Sequence, residues 1–288
     1  MLFDTHLHLI YPNRLRYPWL NDVPALNKPY QYEDYERDAA RFGIIGSMHM
    51  EVDVAPEDIK AETNLVKDIQ TLPKSLIRGA ISACRPEEEG FADFLDWASD
   101  QTLIKGFRRV LHVVPDEVSR QSGFRNNINR LSTTRFTYDI CCRADQLLDA
   151  IDLVDACPNV RFVLDHCGVP DIAGEVFDPW AKAMRDLAKR PNVTAKLSGI
   201  IAYGDPQNWT IEDIRPYFEQ TVDSFGTDRI IWGSDSPVCF LGGGLPTWVA
   251  LTYALTGSWS DNEKAALCLL YTSPSPRDRT RSRMPSSA

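Results

Sequence analysis

The sequence lacks any long hydrophobic run. No stretch of the 288 residues approaches the roughly 18 consecutive apolar residues of a membrane-spanning helix, and no secretory signal pattern opens the chain. A basic stripe is also missing, and a net charge of −9 gives little attraction for nucleic-acid phosphates. These absences predict a cytoplasmic protein that binds neither membranes nor nucleic acids.

The cysteines show no CxxC pair of the kind that binds metals or exchanges disulfides. There are seven, at Cys84, Cys141, Cys142, Cys157, Cys167, Cys239 and Cys268. Most lie in apolar runs, where a free thiol packs as a small hydrophobic side chain. We therefore expect reduced, structural cysteines, as is typical of the cytosol.

Short apolar runs typical of buried strands alternate with segments of helical pattern. The predicted strands lie at about 2–9, 44–52, 76–83, 103–112, 136–141, 160–166, 193–197 and 229–235. Alternation predicts parallel strands joined by helices, and eight such units match a single-domain (β/α)8 TIM barrel. The alternative, a doubly wound open sheet, normally carries a glycine-rich phosphate loop after its first strand, and none is present here.

The C-terminal segment departs from this pattern. From about Cys268 the sequence is rich in Ser, Pro and Arg, and it resembles a translated sequencing adapter. We therefore expect the barrel domain to cover 1–267 with a truncated last helix, and 268–288 to be a disordered, non-native tail.

Polar residues stand where several predicted strands end. His6 and His8 are two positions apart on the first strand, so their side chains should lie side by side. His166 ends the sixth strand and Asp235 closes the eighth. Because strand C-termini share one mouth in a TIM barrel, these side chains should converge. Such a set either binds a divalent metal or activates water directly.

Further candidates lie on the fourth strand and in two loops. Lys105 and Arg108 lie on this strand with His112 just beyond it, although strand alternation allows both to line the mouth only if the strand is irregular. Trp19 belongs to a long connection of the kind that is often functional, and Tyr203 begins a second loop near the mouth. We expect these residues to contact substrate.

The motifs together resemble the amidohydrolase-related superfamily, in the branch that contains L-fuconolactonase, L-rhamnonolactonase and the pyrone-dicarboxylate lactonases. The matching motifs are Asp4–His8, Lys105–His112, Phe162–Gly168, Lys196–Gly199 and Trp232–Cys239. The resemblance extends from about residue 2 to 267. His49 matches no motif, and we interpret it as a wall or core residue.

The resemblance implies roles for the matched residues. Asp235 would be the general base, and His6, His8 and His166 would polarise a carbonyl, either directly or through one divalent ion, with zinc the first choice. In the second case the ligands would be the same three histidines and Asp235. Lys105, Arg108 and His112 would then hold the substrate. The resemblance leaves both the metal-free and the metal-dependent forms open.

The function predicted on this basis is hydrolysis of a small sugar-acid lactone, as in L-fuconolactonase. A zinc-dependent decarboxylase of the same superfamily would use the same ligands on an aromatic acid. A non-catalytic barrel or an inactive truncated fragment is a further alternative. No feature of the sequence predicts an oligomeric state.

Overall fold

Eight parallel strands alternate with helices in the computed structural model, which describes residues 1–206 and 208–269. The strands are β1 Leu2–Leu7, β2 Ile44–Met50, β3 Ile77–Ala83, β4 Ile104–Val110, β5 Thr137–Cys141, β6 Phe162–Leu164, β7 Val193–Ser198 and β8 Ile230–Gly233. The helices are α1 Tyr32–Phe42, α2 Ile59–Gln70, α3 Phe91–Ser99, α4 Glu117–Arg120, α5 Ser122–Asn129, α6 Leu147–Ala156, α7 Asp178–Leu187, α8 Ile211–Phe225, α9 Gly244–Leu255 and α10 Asp261–Leu269.

The sheet closes on itself. Each strand pairs with the next in chain order, and the residues after β8 return to β1. The backbone N–H of Asp235 donates to the carbonyl of His6, and the N–H of His8 donates to that of Ser236, both at 2.8 Å. The predicted TIM barrel is confirmed, and its closure brings the residues after β8 beside the histidine pair.

Helix boundaries follow local sequence signals. Gly43 ends α1 in a left-handed conformation that glycine adopts without steric cost. Thr210 and Asp213 form a capping box at the start of α8, which satisfies backbone N–H groups that the helix leaves unpaired. No helix within the described ranges is long and apolar enough to span a membrane.

The segment from 268 onward was predicted to be a non-native tail. α10 includes the first two of these residues, and those from 270 onward lie outside the described part of the chain.

Two clusters of buried side chains, on the strands or directly after them, have opposite character. The apolar cluster comprises Phe3, Met48, Met50 and Ile81, which pack together apart from the large core. The charged cluster comprises Glu51, Arg108, Asp139, Asp165 and Lys196, all of which are buried. The histidine pair lies directly beside the charged cluster, which therefore sets its electrostatic environment.

Candidate active site

Two imidazoles face each other where β1 ends. The Nε2 atoms of His6 and His8 are 3.1 Å apart. The Nδ1 atom of His8 lies 3.1 Å from the carbonyl oxygen of Met50 and 3.0 Å from that of Glu51. Because a carbonyl oxygen only accepts hydrogen bonds, this Nδ1 carries the hydrogen. A neutral His8 therefore presents the Nε2 lone pair to His6.

The carboxylate of Asp235 faces three imidazoles. Its Oδ1 is 3.3 Å from His8 Nε2 and 3.7 Å from His6 Nε2, while its Oδ2 is 3.5 Å from His166 Nδ1. Neither oxygen has a hydrogen-bond partner among the described residues. Burial raises the pKa of Asp235 to about 6, although the nearby His166 opposes the shift. A buried carboxylate without partners is a group prepared for a ligand.

The backbone around this carboxylate is held in an unusual conformation. Asp235 has a φ of 55°, and His166, Cys167 and Val169 have φ values of 51°, 54° and 45°. Left-handed backbone is uncommon outside glycine; Asp and His tolerate it best and the β-branched Val169 least, and such strain concentrates at functional sites. A Cβ atom on Gly199 would lie 2.0 Å from Asp235 Oδ2, so the close approach of this loop requires glycine.

Lys196 is the centre of the charged cluster. Its Nζ lies 2.7 Å from Asp139 Oδ2, 2.8 Å from Asp165 Oδ1 and 3.3 Å from His6 Nδ1. Burial works to lower the pKa of Lys196, but the two carboxylates more than offset it, so the amine stays charged. The lysine therefore supplies a fixed positive charge behind His6.

Arg108 supplies the second positive charge. Its Nε donates to Glu51 Oε1 at 2.5 Å, and its Nη1 lies 3.3 Å from Asp165 Oδ2 and 3.4 Å from His6 Nε2. Asp165 thus lies between Lys196 and Arg108. Burial alone would raise its pKa, but Lys196 and His6 hold it well below the usual range. Asp165 is therefore an ionised acceptor beside His6 Nδ1, 3.4 Å away.

The three histidines are neutral at neutral pH. Burial lowers the pKa values of His6 and His166, and it lowers that of His8 to about 4 with help from Arg108. Neutral imidazole is the form that binds metals and that donates one N–H without carrying charge. His166 Nδ1 also lies 3.0 Å from the hydroxyl of Ser198 at the end of β7, which fixes its ring.

The donor set fits one divalent cation. His6, His8 and Asp235 each offer a ligand atom, and the separations of 3.1, 3.3 and 3.7 Å lie near the roughly 3.3 Å expected between ligands with ~2.0–2.1 Å bonds in a tetrahedron. Hydrogen-bond acceptors beside the Nδ1 atoms of both histidines complete the pattern usual for metal-bound imidazole. A second group comprises His6, Asp165 and His166, but the two buried cations already engage Asp165.

Most of the predicted site residues surround one cavity of about 540 Å³. The lining residues include His8, His166, Asp235, Arg108, His112, Trp19 and Tyr203, and His6 lies against the first three. Lys105 does not reach this cavity. As the second residue of β4 it lies toward the opposite end of the strand, and its Nζ donates to the carbonyl of Thr102 at 2.8 Å. The expectation that it holds substrate is therefore corrected.

The structure adds residues to the site that sequence reasoning missed. Glu51, Asp139, Asp165 and Lys196 were not predicted as functional, although Asp165 and Lys196 stood within the quoted motifs. Lysine inside an otherwise apolar strand was an available signal, because a buried amine requires acidic partners. His49 is buried, as expected for a wall or core residue.

Comparison with known proteins places these observations in a family. The amidohydrolase family model matches residues 3–270. The uncharacterised protein y4mH of Sinorhizobium fredii is 30% identical over 258 residues, which is 82% of this chain and 85% of that protein. An L-fucono-1,5-lactonase of Burkholderia ambifaria is 42% identical over 86 residues, 30% of this chain and 29% of that protein.

A solved structure shows the same fold. An amidohydrolase from Burkholderia multivorans with bound zinc superposes with a TM-score of 0.84 over 95% of this chain and 100% of its own. Their sequences are 23% identical, so this likeness concerns the fold.

Proposed function

Since this chain belongs to the amidohydrolase family, we propose that it is a hydrolase that opens the ring ester of a lactone, and sugar-acid lactones are the first class to test. The observation that carries the proposal is the unpartnered carboxylate of Asp235, which faces three neutral imidazoles in a cavity. The sequence similarity to relatives named as L-fucono-1,5-lactonases supports the choice of a lactone.

Asp235 acts as the general base. Its carboxylate takes a proton from the attacking water as the water oxygen bonds to the lactone carbonyl carbon. The ring C–O bond then breaks, and Asp235 returns the proton to the ring oxygen, so that the product is a hydroxy acid. A pKa of about 6 leaves the group ionised at neutral pH and yet basic enough to accept a proton.

The neighbouring residues position the ester and balance its charge. Arg108 lines the cavity and places positive charge near His6 Nε2. Such charge favours the oxyanion that develops when water adds to the carbonyl. His6, His8 and Asp235 would hold a divalent ion, which when bound would polarise the carbonyl and acidify water.

Proton release from a panel of five- and six-carbon sugar lactones tests this proposal. We expect hydrolysis by the purified chain and a loss of about 10²–10⁴-fold in kcat/KM for Asp235→Asn, the range usual for a general base. Asp223→Asn, which changes an exposed carboxylate on α8, is the matched control and should retain full activity.

Metal content and chelation decide how the histidines act. Stoichiometric zinc with chelator-sensitive activity would assign His6 and His8 as ligands. Activity that survives chelation would assign them as direct hydrogen-bonding groups. Failure of soluble, folded protein to hydrolyse any lactone, together with CO₂ release from an aromatic acid, would replace the lactonase with a decarboxylase.

A further inference from the structure

The cavity has two chemically distinct parts. Charged and polar residues such as His8, His166, Asp235 and Arg108 form one part. The other part, which we call the apolar wall, is formed by Ile10, Val23, Leu26, Val113, Val238 and Leu241. A substrate that fills the cavity therefore meets both a polar reaction centre and a hydrocarbon surface.

The apolar wall comes from three separate connections at the mouth. Ile10, Val23 and Leu26 belong to the long segment after β1, Val113 follows β4, and Val238 and Leu241 follow β8. Val113 is 55% exposed. Hydrocarbon that water reaches in a concave site favours contact with an apolar ligand.

Two of the polar side chains near this wall are already paired within the protein. Trp19 Nε1 donates to the carbonyl of Val52 at 2.8 Å. Arg143 donates to Asp145 and to the carbonyl of His112. Each hydroxyl of a polyhydroxylated substrate would lose water on entering this part of the cavity and would need a replacement partner. The wall suits a hydrocarbon group better than a polyol.

The size of the site leads to the same conclusion. A volume of 540 Å³ falls in the range of roughly 300–1,000 Å³ found for drug-sized ligands, which exceeds the needs of one small ring. An adjoining groove shares Arg143, Val169 and Tyr203 with the cavity. Of the seven exposed large apolar side chains in the described ranges, Val113 lines the cavity, and Leu148 and Val176 line the groove.

We propose that the substrate is a lactone whose ring carries an alkyl chain, and that the apolar wall binds this chain while Asp235 and the histidines act on the ring ester. This inference rests on the proposed lactone hydrolysis and narrows its substrate class. The wall is a specificity determinant, because it contacts the chain and not the reacting atoms.

A homologous series of five-membered lactones tests the proposal. The ring carbon beside the ring oxygen carries hydrogen, ethyl, pentyl or heptyl, and a polyhydroxylated lactone of equal ring size is the comparison. We expect kcat/KM to rise about 3–4-fold for each added methylene, as burial of hydrocarbon predicts. The rise should come mainly through KM, since the chain binds equally in the ground and transition states.

A nearly isosteric variant locates the effect. Val23→Thr/Val113→Thr replaces two wall methyl groups with hydroxyls, and it should lower kcat/KM for the heptyl lactone by about tenfold more than for the unsubstituted one. Val222→Thr changes a half-buried valine on α8 that does not line the cavity. This control should leave the chain-length dependence unchanged.

Binding of the matching lactams, measured by calorimetry, separates this inference from the proposed hydrolysis. Affinity that rises with chain length supports the alkyl-binding wall even if no lactone is hydrolysed, in which case only the proposed function fails. Lactam affinities that do not change with chain length would overturn the inference. So would a preference for the polyhydroxylated lactone in hydrolysis, with kcat/KM independent of chain length. In both cases the proposed lactone hydrolysis would be unaffected.

Discussion

The apolar cluster and the charged cluster are both built from buried side chains on the strands or directly after them, yet they affect the protein in opposite ways. Burial of the apolar cluster stabilises the folded state, because the transfer of apolar side chains out of water is favourable. Its members are Phe3, Met48, Met50 and Ile81. Burial of the charged cluster removes the hydration of two cations and three carboxylates, which lowers stability. The ion pairs among these groups offset only part of that cost.

The cluster that stabilises the fold less is therefore the one that lies beside the candidate active site. The charged cluster surrounds His6 with Lys196, Arg108 and Asp165, all within 3.4 Å of a ring nitrogen. The side chains of the apolar cluster make no such hydrogen bond in the described residues, although the backbone carbonyl of Met50 lies 3.1 Å from His8 Nδ1. Variants in the two clusters should therefore separate stability from activity.

Removing the positive charge of Lys196 should have the largest effect on stability. Lys196→Met leaves Asp139 and Asp165 facing each other without their shared partner, and losing one member of a buried ion pair lowers the free energy of unfolding by about 3–5 kcal/mol. Denaturant unfolding measures the change. Adding Asp139→Asn to the same chain should recover part of the loss.

Lys189→Met is the matched control for this charge removal. Lys189 pairs with Asp186 on the surface at 2.9 Å and is 73% exposed, so the loss should be about 0–1 kcal/mol. Equal effects of the two lysine substitutions would contradict the assignment of Lys196 as the centre of a buried network.

Truncation in the apolar cluster should affect stability alone. Met48→Ala removes a buried side chain, and such changes lower the free energy of unfolding by about 2–5 kcal/mol. The folded variant should keep its kcat/KM, because Met48 belongs to the apolar cluster and does not line the cavity that Asp235 faces. A fall in kcat/KM at full folding would show that the two clusters are coupled.

The barrel and the convergence of its polar residues were accessible from the sequence. Apolar runs alternate with helical segments, and polar residues at strand ends share a mouth by the geometry of the fold. Lys105 and Arg108 could not be separated in this way. Alternation places the two residues on opposite faces of β4, and the structure agrees, but alternation alone does not say which face lines the mouth.

The charged cluster was less accessible because its pairs are remote in sequence. Arg108 and Glu51 are 57 positions apart, as are Lys196 and Asp139. The left-handed backbone at His166 and Asp235 lies beyond the ends of β6 and β8, where strand periodicity carries no information. Only the assembled barrel shows which carboxylates are paired and which one is left for a ligand.

The pKa of Asp235 predicts opposite effects of pH on stability and activity in the metal-free protein. Its folded pKa of about 6 lies above the ordinary 3.8, so folding favours the protonated form and stability falls as pH rises from about 4 to 6. Asp235→Asn removes this penalty and should raise the free energy of unfolding at pH 7 by roughly 3 kcal/mol. Activity of the parent chain should rise with pH through about 6.

Unfolding at two pH values isolates this effect. Below about pH 3 both folded and unfolded Asp235 are protonated, so the advantage of Asp235→Asn should vanish there. A variant that gains nothing at pH 7, or an activity that is flat between pH 5 and 7, would show that the carboxylate is ionised without penalty.

The smallest effect is expected for the hydroxyl that fixes His166. Ser198→Ala removes a contact of 3.0 Å to His166 Nδ1, which corresponds to about 0.5–1.5 kcal/mol and so to a loss of roughly 2–10-fold in kcat with little change in KM. Ser82→Ala removes an equally buried hydroxyl on β3, with contacts to Ala83 and Thr63. Ser82→Ala should lower the free energy of unfolding as much as Ser198→Ala does, but it should keep full activity. If both variants lower kcat equally, Ser198 is structural, whereas a loss confined to Ser198→Ala makes it a positioning residue for His166.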